Sequence, residues 1–206
     1  MADAEGMTPE DLAARRVAVG NLGAALRELV DAAVRTEVPV DVLAEVTDLA
    51  ADLAARLAVR TRGLDEMAAI DDPDAGERWY NPVHGLGSPL APPLVPTSSG
   101  DGRATGRVTL GKAHEGPVGL GHGGVIASLF DHILARAIRS AGRGGMTASL
   151  TVSYRRPVPL GVPLLATAEM GVVEGRRTPV TARLVAEDDP MTTLAEAEGV
   201  FVSLPR

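Results

Sequence analysis

Leu12, Val19, Leu22, Leu26, Leu29 and Ala33 recur at spacings of three, four and seven, which predicts one apolar stripe along a helix. Thr8-Pro9-Glu10-Asp11 reads as its start: a capping hydroxyl, a proline at the first helical position and acids in the first turn. Pro39 opens a second predicted helix with Val42, Val46, Leu49, Leu53 and Leu57 on one face, and Gly63 is its expected stop. Together they form a predicted N-terminal helical hairpin, assigned to residues 1–70. A hairpin cannot bury both stripes by itself, so it is expected to pack on the rest of the chain or on a second subunit.

Residues 71–102 change character: DDPDAGERWYNPVHGLGSPLAPPLVPTSSGDG is rich in Pro, Gly, Asp and Ser. They read as a linker carrying the first strand, around Leu90 to Val95. A connection of this length is often functional, for instance as a wall of a binding site.

From residue 103 the pattern is mostly that of strands. Arg103 to Lys112 alternates between apolar and polar residues. A helix follows from about Gly123 to Arg139, with Ile126, Leu129, Phe130, Ile133, Leu134 and Ala137 at helical spacing. Met146 to Tyr154 alternates strictly, Met146, Ala148, Leu150, Val152 and Tyr154 against Thr147, Ser149, Thr151 and Ser153. Further strands are expected at Val162 to Val173, Thr178 to Glu187 and Thr192 to Leu204, with turns at Glu174-Gly175-Arg176 and Asp188-Asp189-Pro190. A strand, a long helix and four meandering strands make an α+β domain over 103–206. The helix is apolar on more than one side, as expected where a curved antiparallel sheet wraps it.

Composition narrows the chemistry. The chain has no Cys, which excludes disulfides, a thiolate nucleophile and thiolate-held metal. No His and acid stand at metal-ligand spacing, so no metal is expected. The net charge of −7 over 206 residues argues against nucleic-acid binding, which needs a basic footprint. No basic region precedes an apolar run at the start and no run approaches bilayer length, so a cytoplasmic protein without membrane attachment is expected.

One stretch stands apart, GPVGLGHGGVIASLFD at 116–131. It opens an apolar helix with glycines and a histidine, then sets a carboxylate two turns in. A helix N-terminus offers unpaired N–H groups and partial positive charge. Glycines there let a substrate oxygen approach the backbone closely. In acyl transfer, such preorganised donors stabilise the charge that develops on the carbonyl oxygen. Gly123, with Gly124, is therefore the oxyanion-hole candidate. Asp131 is the candidate base that activates water, or the nucleophile that forms an anhydride. Eight residues on one helix are roughly 12 Å along its axis. Gly123 and Asp131 of one chain cannot both touch one thioester carbon. Two antiparallel copies of the helix across a two-fold axis would bring Gly123 of one subunit near Asp131 of the other, twice.

Gly-His-Gly-Gly at 121–124 followed by Asp131 resembles the HGG…D signature of hotdog-fold acyl-CoA thioesterases of the PaaI type. TASLTVSYRRPVPLG at 147–161 resembles the strand after the hotdog helix, AEAEGVFVSL at 195–204 the closing strand, and GRR at 175–177 a hairpin turn of that family. The resemblance covers about residues 80–206. It implies a hotdog fold, hydrolysis of an acyl-CoA with coenzyme A as part of the substrate and no other cofactor, and a site at the interface of a homodimer, often paired into a tetramer. It implies further roles: Thr147 as the hydroxyl that positions the water or Asp131, with Ser149 on the same strand face as fallback. His122 would orient the glycine turn or bond the thioester oxygen. Arg155 and Arg156 stand where members meet the phosphates of coenzyme A, which suits the planar fork of Arg.

Two departures matter. Many PaaI-like enzymes carry an Asn six residues before the motif His, where this chain has Gly116. That loss makes a non-catalytic acyl-CoA-binding hotdog the alternative reading. WYNPVH at 79–84 is similar to a motif of hotdog enoyl hydratases, but Trp79 takes the place of their Asp. A hydratase using His84 is the lesser alternative, and His132 and His114 read as incidental.

Overall fold

The computed structural model describes residues 7–92 and 94–203. Helix α1, Pro9–Arg35, starts as the sequence predicts: the Thr8 hydroxyl accepts the Asp11 N–H at 3.1 Å, and the Asp11 carboxylate accepts the Thr8 N–H at 3.3 Å. This reciprocal pairing satisfies two donors that a helix start leaves open. Helix α2, Val40–Ala58, follows an extended connection and ends five residues before Gly63. The chain then returns toward α1, as Arg62 lies over the Tyr80 ring and Gly20 of α1 faces Trp79.

The catalytic-domain candidate is one six-stranded antiparallel sheet: β1 (Val95–Gly100), β2 (Arg103–Thr109), β3 (Met146–Tyr154), β4 (Pro163–Met170), β5 (Arg177–Ala186) and β6 (Asp189–Val202), in the order β1-β2-β4-β5-β6-β3. Helix α3, Gly123–Ser140, lies in its concave face. Ile126, Leu129, Phe130, Ile133, Leu134, Ala137 and Ile138 of α3 are buried against Val108, Leu164, Val180, Leu184 and Phe201 of the strands. This is the hotdog arrangement. Gly199 allows the close approach, since a Cβ there would stand 2.9 Å from Leu134 Cδ1.

Three expectations are corrected. The first strand is Val95–Gly100 rather than Leu90 to Val95. Pro92 has no N–H to give to a ladder, and the pairing begins at Val95. Strands β4, β5 and β6 form the meander, but β3 joins its far side beside β6 and becomes an edge. The alternation of β3 is broken: Thr147 opposes Phe201 while Ser149 opposes Val200, so Ala148 is an extra residue, a β-bulge. The predicted end of the last strand, Leu204, lies outside the described residues.

The segment from residue 70 to 92 is a fitted strap rather than a loose linker. It crosses α1 and α3, and arginines of both helices hold it by its carbonyl oxygens. Arg16 donates to Ile70 O at 2.9 and 3.0 Å, and Arg27 to Leu86 O and Ser88 O, both at 2.9 Å. From α3, Arg136 donates to Gly76 O at 3.3 Å and Arg139 to Pro73 O at 3.1 Å. Gly23, the buried residue of α1, admits the strap backbone: a Cβ there would lie 2.1 Å from Leu86 O.

Candidate active site

Two peptide groups at the start of α3 are fixed by different partners. His122 is the N-cap, in extended backbone conformation, and its carbonyl accepts from Val125 N–H at 3.0 Å and Ile126 N–H at 3.1 Å. Its Nδ1 accepts the Gly124 N–H at 3.0 Å, so His122 does what a capping Asn or Ser does elsewhere. Gly124 N–H is thereby occupied, and of the expected pair of oxyanion donors it is Gly123 N–H that lacks an acceptor among the described residues. The Gly123 carbonyl accepts the Tyr154 hydroxyl at 2.7 Å.

The absent Asn has a steric counterpart. A Cβ on Gly116 would stand 3.0 Å from His122 Cα and 3.4 Å from its Cβ. The loop is closed there by Gly116 N–H donating to Leu120 O at 2.9 Å, and His122 N–H donates to His114 O at 2.8 Å. The His122 ring and a side chain at 116 compete for one place.

Asp131 is half-buried two turns into α3, and its Oδ1 accepts the Thr147 hydroxyl at 2.7 Å. The bulge at Ala148 makes this possible. It turns Thr147 inward with Leu150, Val152 and Tyr154, opposite the buried Phe201, Gly199, Ala197 and Ala195 of β6. It also turns Ser149 to the outer face, so the expectation that Ser149 shares a face with Thr147 is corrected, because the extra residue shifts the two-residue period by one. Gly124, Ala127, Ser128, Asp131 and Ala135 form a face of small, half-exposed or exposed positions around the carboxylate. Gly123 and Asp131 do not meet within the chain.

Arg155 forms an ion pair with Glu196, its Nε donating at 2.9 Å. Its backbone N–H and that of Arg156 both donate to Leu194 O at 2.9 Å, and the Arg156 side chain is exposed. Sequence reasoning missed two features. Tyr154 is read only as an inward position of a strand, although its place opposite the helix start is what its inward phase dictates. His132, expected to be incidental, stacks on His84 of the strap with ring centroids 4.1 Å apart. Burial, then Arg136, pull His84 from the ordinary 6.5 down to about 4, against the opposing pull of Asp71. Burial, then His84, Arg136 and Arg139, bring His132 to about 3. Both rings are neutral at pH 7, and His132 Nε2 and Arg136 Nε have no hydrogen-bond partner among the described residues. Among the described residues no group of three His, Asp or Glu side chains is placed to hold a metal ion, and no helix is long and apolar enough to cross a membrane.

A family model described as the thioesterase superfamily matches residues 119–193, which include Gly123, Asp131 and Thr147. A solved crystal structure of a thioesterase superfamily protein is 35% identical, with a TM-score of 0.79, covering 89% of this chain and 94% of its own. The chain is 38% identical over 91 residues to acyl-coenzyme A thioesterase THEM4 of Xenopus laevis, 44% of this chain and 40% of that protein. It is 32% identical over 90 residues to the THEM4 of Bos taurus, 44% and 36%. The match thus spans well under half the length of these curated relatives.

Proposed function

The chain belongs to the thioesterase superfamily, and we propose that it hydrolyses an acyl-CoA thioester to a free acid and coenzyme A. The observation that carries this reading is the pair of half-sites on α3: a Gly123 N–H at its start with no acceptor among the described residues, and Asp131 held by Thr147 eight residues on. Two copies packed antiparallel through the small-residue face of α3 join Gly123 of one subunit to Asp131 of the other. The open edge of β3 beside that face suits the same pairing, since an edge strand offers an unpaired ladder to a second copy.

In that site the Asp131 carboxylate takes a proton from water as its oxygen attacks the thioester carbon. The carbonyl oxygen becomes an oxyanion at the Gly123 N–H of the other subunit. Collapse breaks the C–S bond, and the thiolate of coenzyme A leaves and takes up a proton. Attack by the carboxylate itself, with water then cleaving the anhydride, uses the same geometry. Thr147 holds Asp131 in either course. Arg156 is free to meet the coenzyme A phosphates, whereas Arg155 must exchange Glu196 for them.

A thiol reporter with short, medium, long and aromatic acyl-CoA esters tests the reading. Hydrolysis of at least one ester is expected, and Asp131→Asn lowers kcat about 100-fold or more, because an amide is neither base nor nucleophile. Absence of turnover with retained binding of the esters would instead make the chain a non-catalytic acyl-CoA binder.

A further inference from the structure

The peptide group between Gly123 and Gly124 is gripped at both ends. Its carbonyl oxygen accepts the Tyr154 hydroxyl at 2.7 Å, and its N–H donates to His122 Nδ1 at 3.0 Å. Both flanking residues are glycines, whose backbone rotates with the least steric resistance. The group also sits in the first turn, where helices fray. If it turned over, the Gly123 carbonyl oxygen would point out of the helix end beside the Gly123 N–H, and its negative end would oppose an oxyanion there. Within the helix ladder the Gly123 carbonyl accepts the N–H four residues on, and the Tyr154 hydroxyl adds a second bond to the same oxygen from outside the helix.

We propose that Tyr154 is a positioning residue for the oxyanion donor. From β3 it locks the Gly123–Gly124 peptide so that Gly123 N–H alone faces the substrate. This deepens the thioesterase reading and rests on it. The tightness of the fit supports the role: a Cβ on Gly123 would stand 3.2 Å from the Tyr154 hydroxyl oxygen and 3.3 Å from Cζ, so ring and helix start are in direct contact. The ring is carried by the inner face of β3, opposite Ala195, and the hydroxyl spans from strand to helix. Phe at 154 keeps that ring and removes the bond.

Two measurements on the 206-residue chain test it. Tyr154→Phe is expected to lower kcat roughly 3- to 10-fold, the cost of one hydrogen bond, with KM unchanged and the thermal midpoint close to wild type. Amide hydrogen exchange at Gly124, assigned by NMR, is expected to accelerate in the same variant, because the peptide then loses the one bond that reaches it from β3. A raised KM with unchanged kcat would mean that Tyr154 binds substrate. A lowered kcat without faster exchange would mean that it acts on the reaction directly. Either result overturns the proposal, as does unchanged kcat. If the wild-type protein hydrolyses no ester while Gly124 exchange still accelerates in the variant, the grip on the peptide stands and the thioesterase reading fails.

Discussion

Asp131 is a carboxylate in an otherwise apolar helix, and its meaning depends on one hydroxyl. Thr147 reaches it at 2.7 Å only because Ala148 is bulged out of the ladder. Thr147→Val is therefore expected to lower kcat roughly tenfold, the worth of a charge-assisted hydrogen bond, while Thr147→Ser restores most of it. Ser149→Ala, on the outer face, leaves kcat within about twofold; steady-state kinetics of the three variants check both statements. The sequence shows Asp131, Thr147, His122 and Gly123 as candidates because their chemistry is local to a recognisable motif. It does not show that Ser149 faces outward, since a bulge leaves no mark on an alternating Thr/Ser run. Nor does it show that Gly124 N–H is taken by the ring that precedes it.

Strap and helix α3 meet where His84 stacks on His132 beside Arg136. Both rings titrate below the ordinary 6.5, near 4 and 3, so the unfolded chain binds more protons than the folded one between those values. Their contribution to stability is complete above about pH 6.5 and is lost as pH falls toward 4 and then 3. Chemical denaturation midpoints should thus fall from pH 7 to pH 5, and His132→Phe, which keeps a stacking ring and removes the group that takes up a proton on unfolding, should flatten that slope. The helices α1 and α3 and the later strands were legible because their apolar periodicities are long, and α1 also because its cap is explicit. The strap was not, because what orders it is not its own pattern. Its Pro, Gly and Asp read as a linker, and the residues that fix it lie in α1 and α3. The place of β3 at the sheet edge was likewise hidden, since strand order is a matter of tertiary packing rather than of sequence succession.

For the whole molecule, the division of the proposed site between two copies has a direct test. Asp131→Asn subunits and Gly123→Pro subunits are each expected to be inactive alone. Proline suits the first helical position and removes the one N–H in question. Refolded together, half of the dimers are mixed, and each mixed dimer holds one intact site of two. About a quarter of wild-type activity should then return in the mixture. No recovery on mixing, with dimers present by light scattering, would overturn the pairing of Gly123 and Asp131 in one site. The exposed stripe of α2, with Leu49, Leu53 and Leu57 each more than half exposed, contrasts with the way the strap is held. Arg16, Arg27, Arg136 and Arg139 grasp the strap by main-chain oxygens at residues 70, 73, 76, 86 and 88. Every amino acid supplies that oxygen. Over generations the strap's side chains can therefore drift while its path stays put, and descendants of this fold should keep the four arginines and the length between them long after the strap itself has ceased to align.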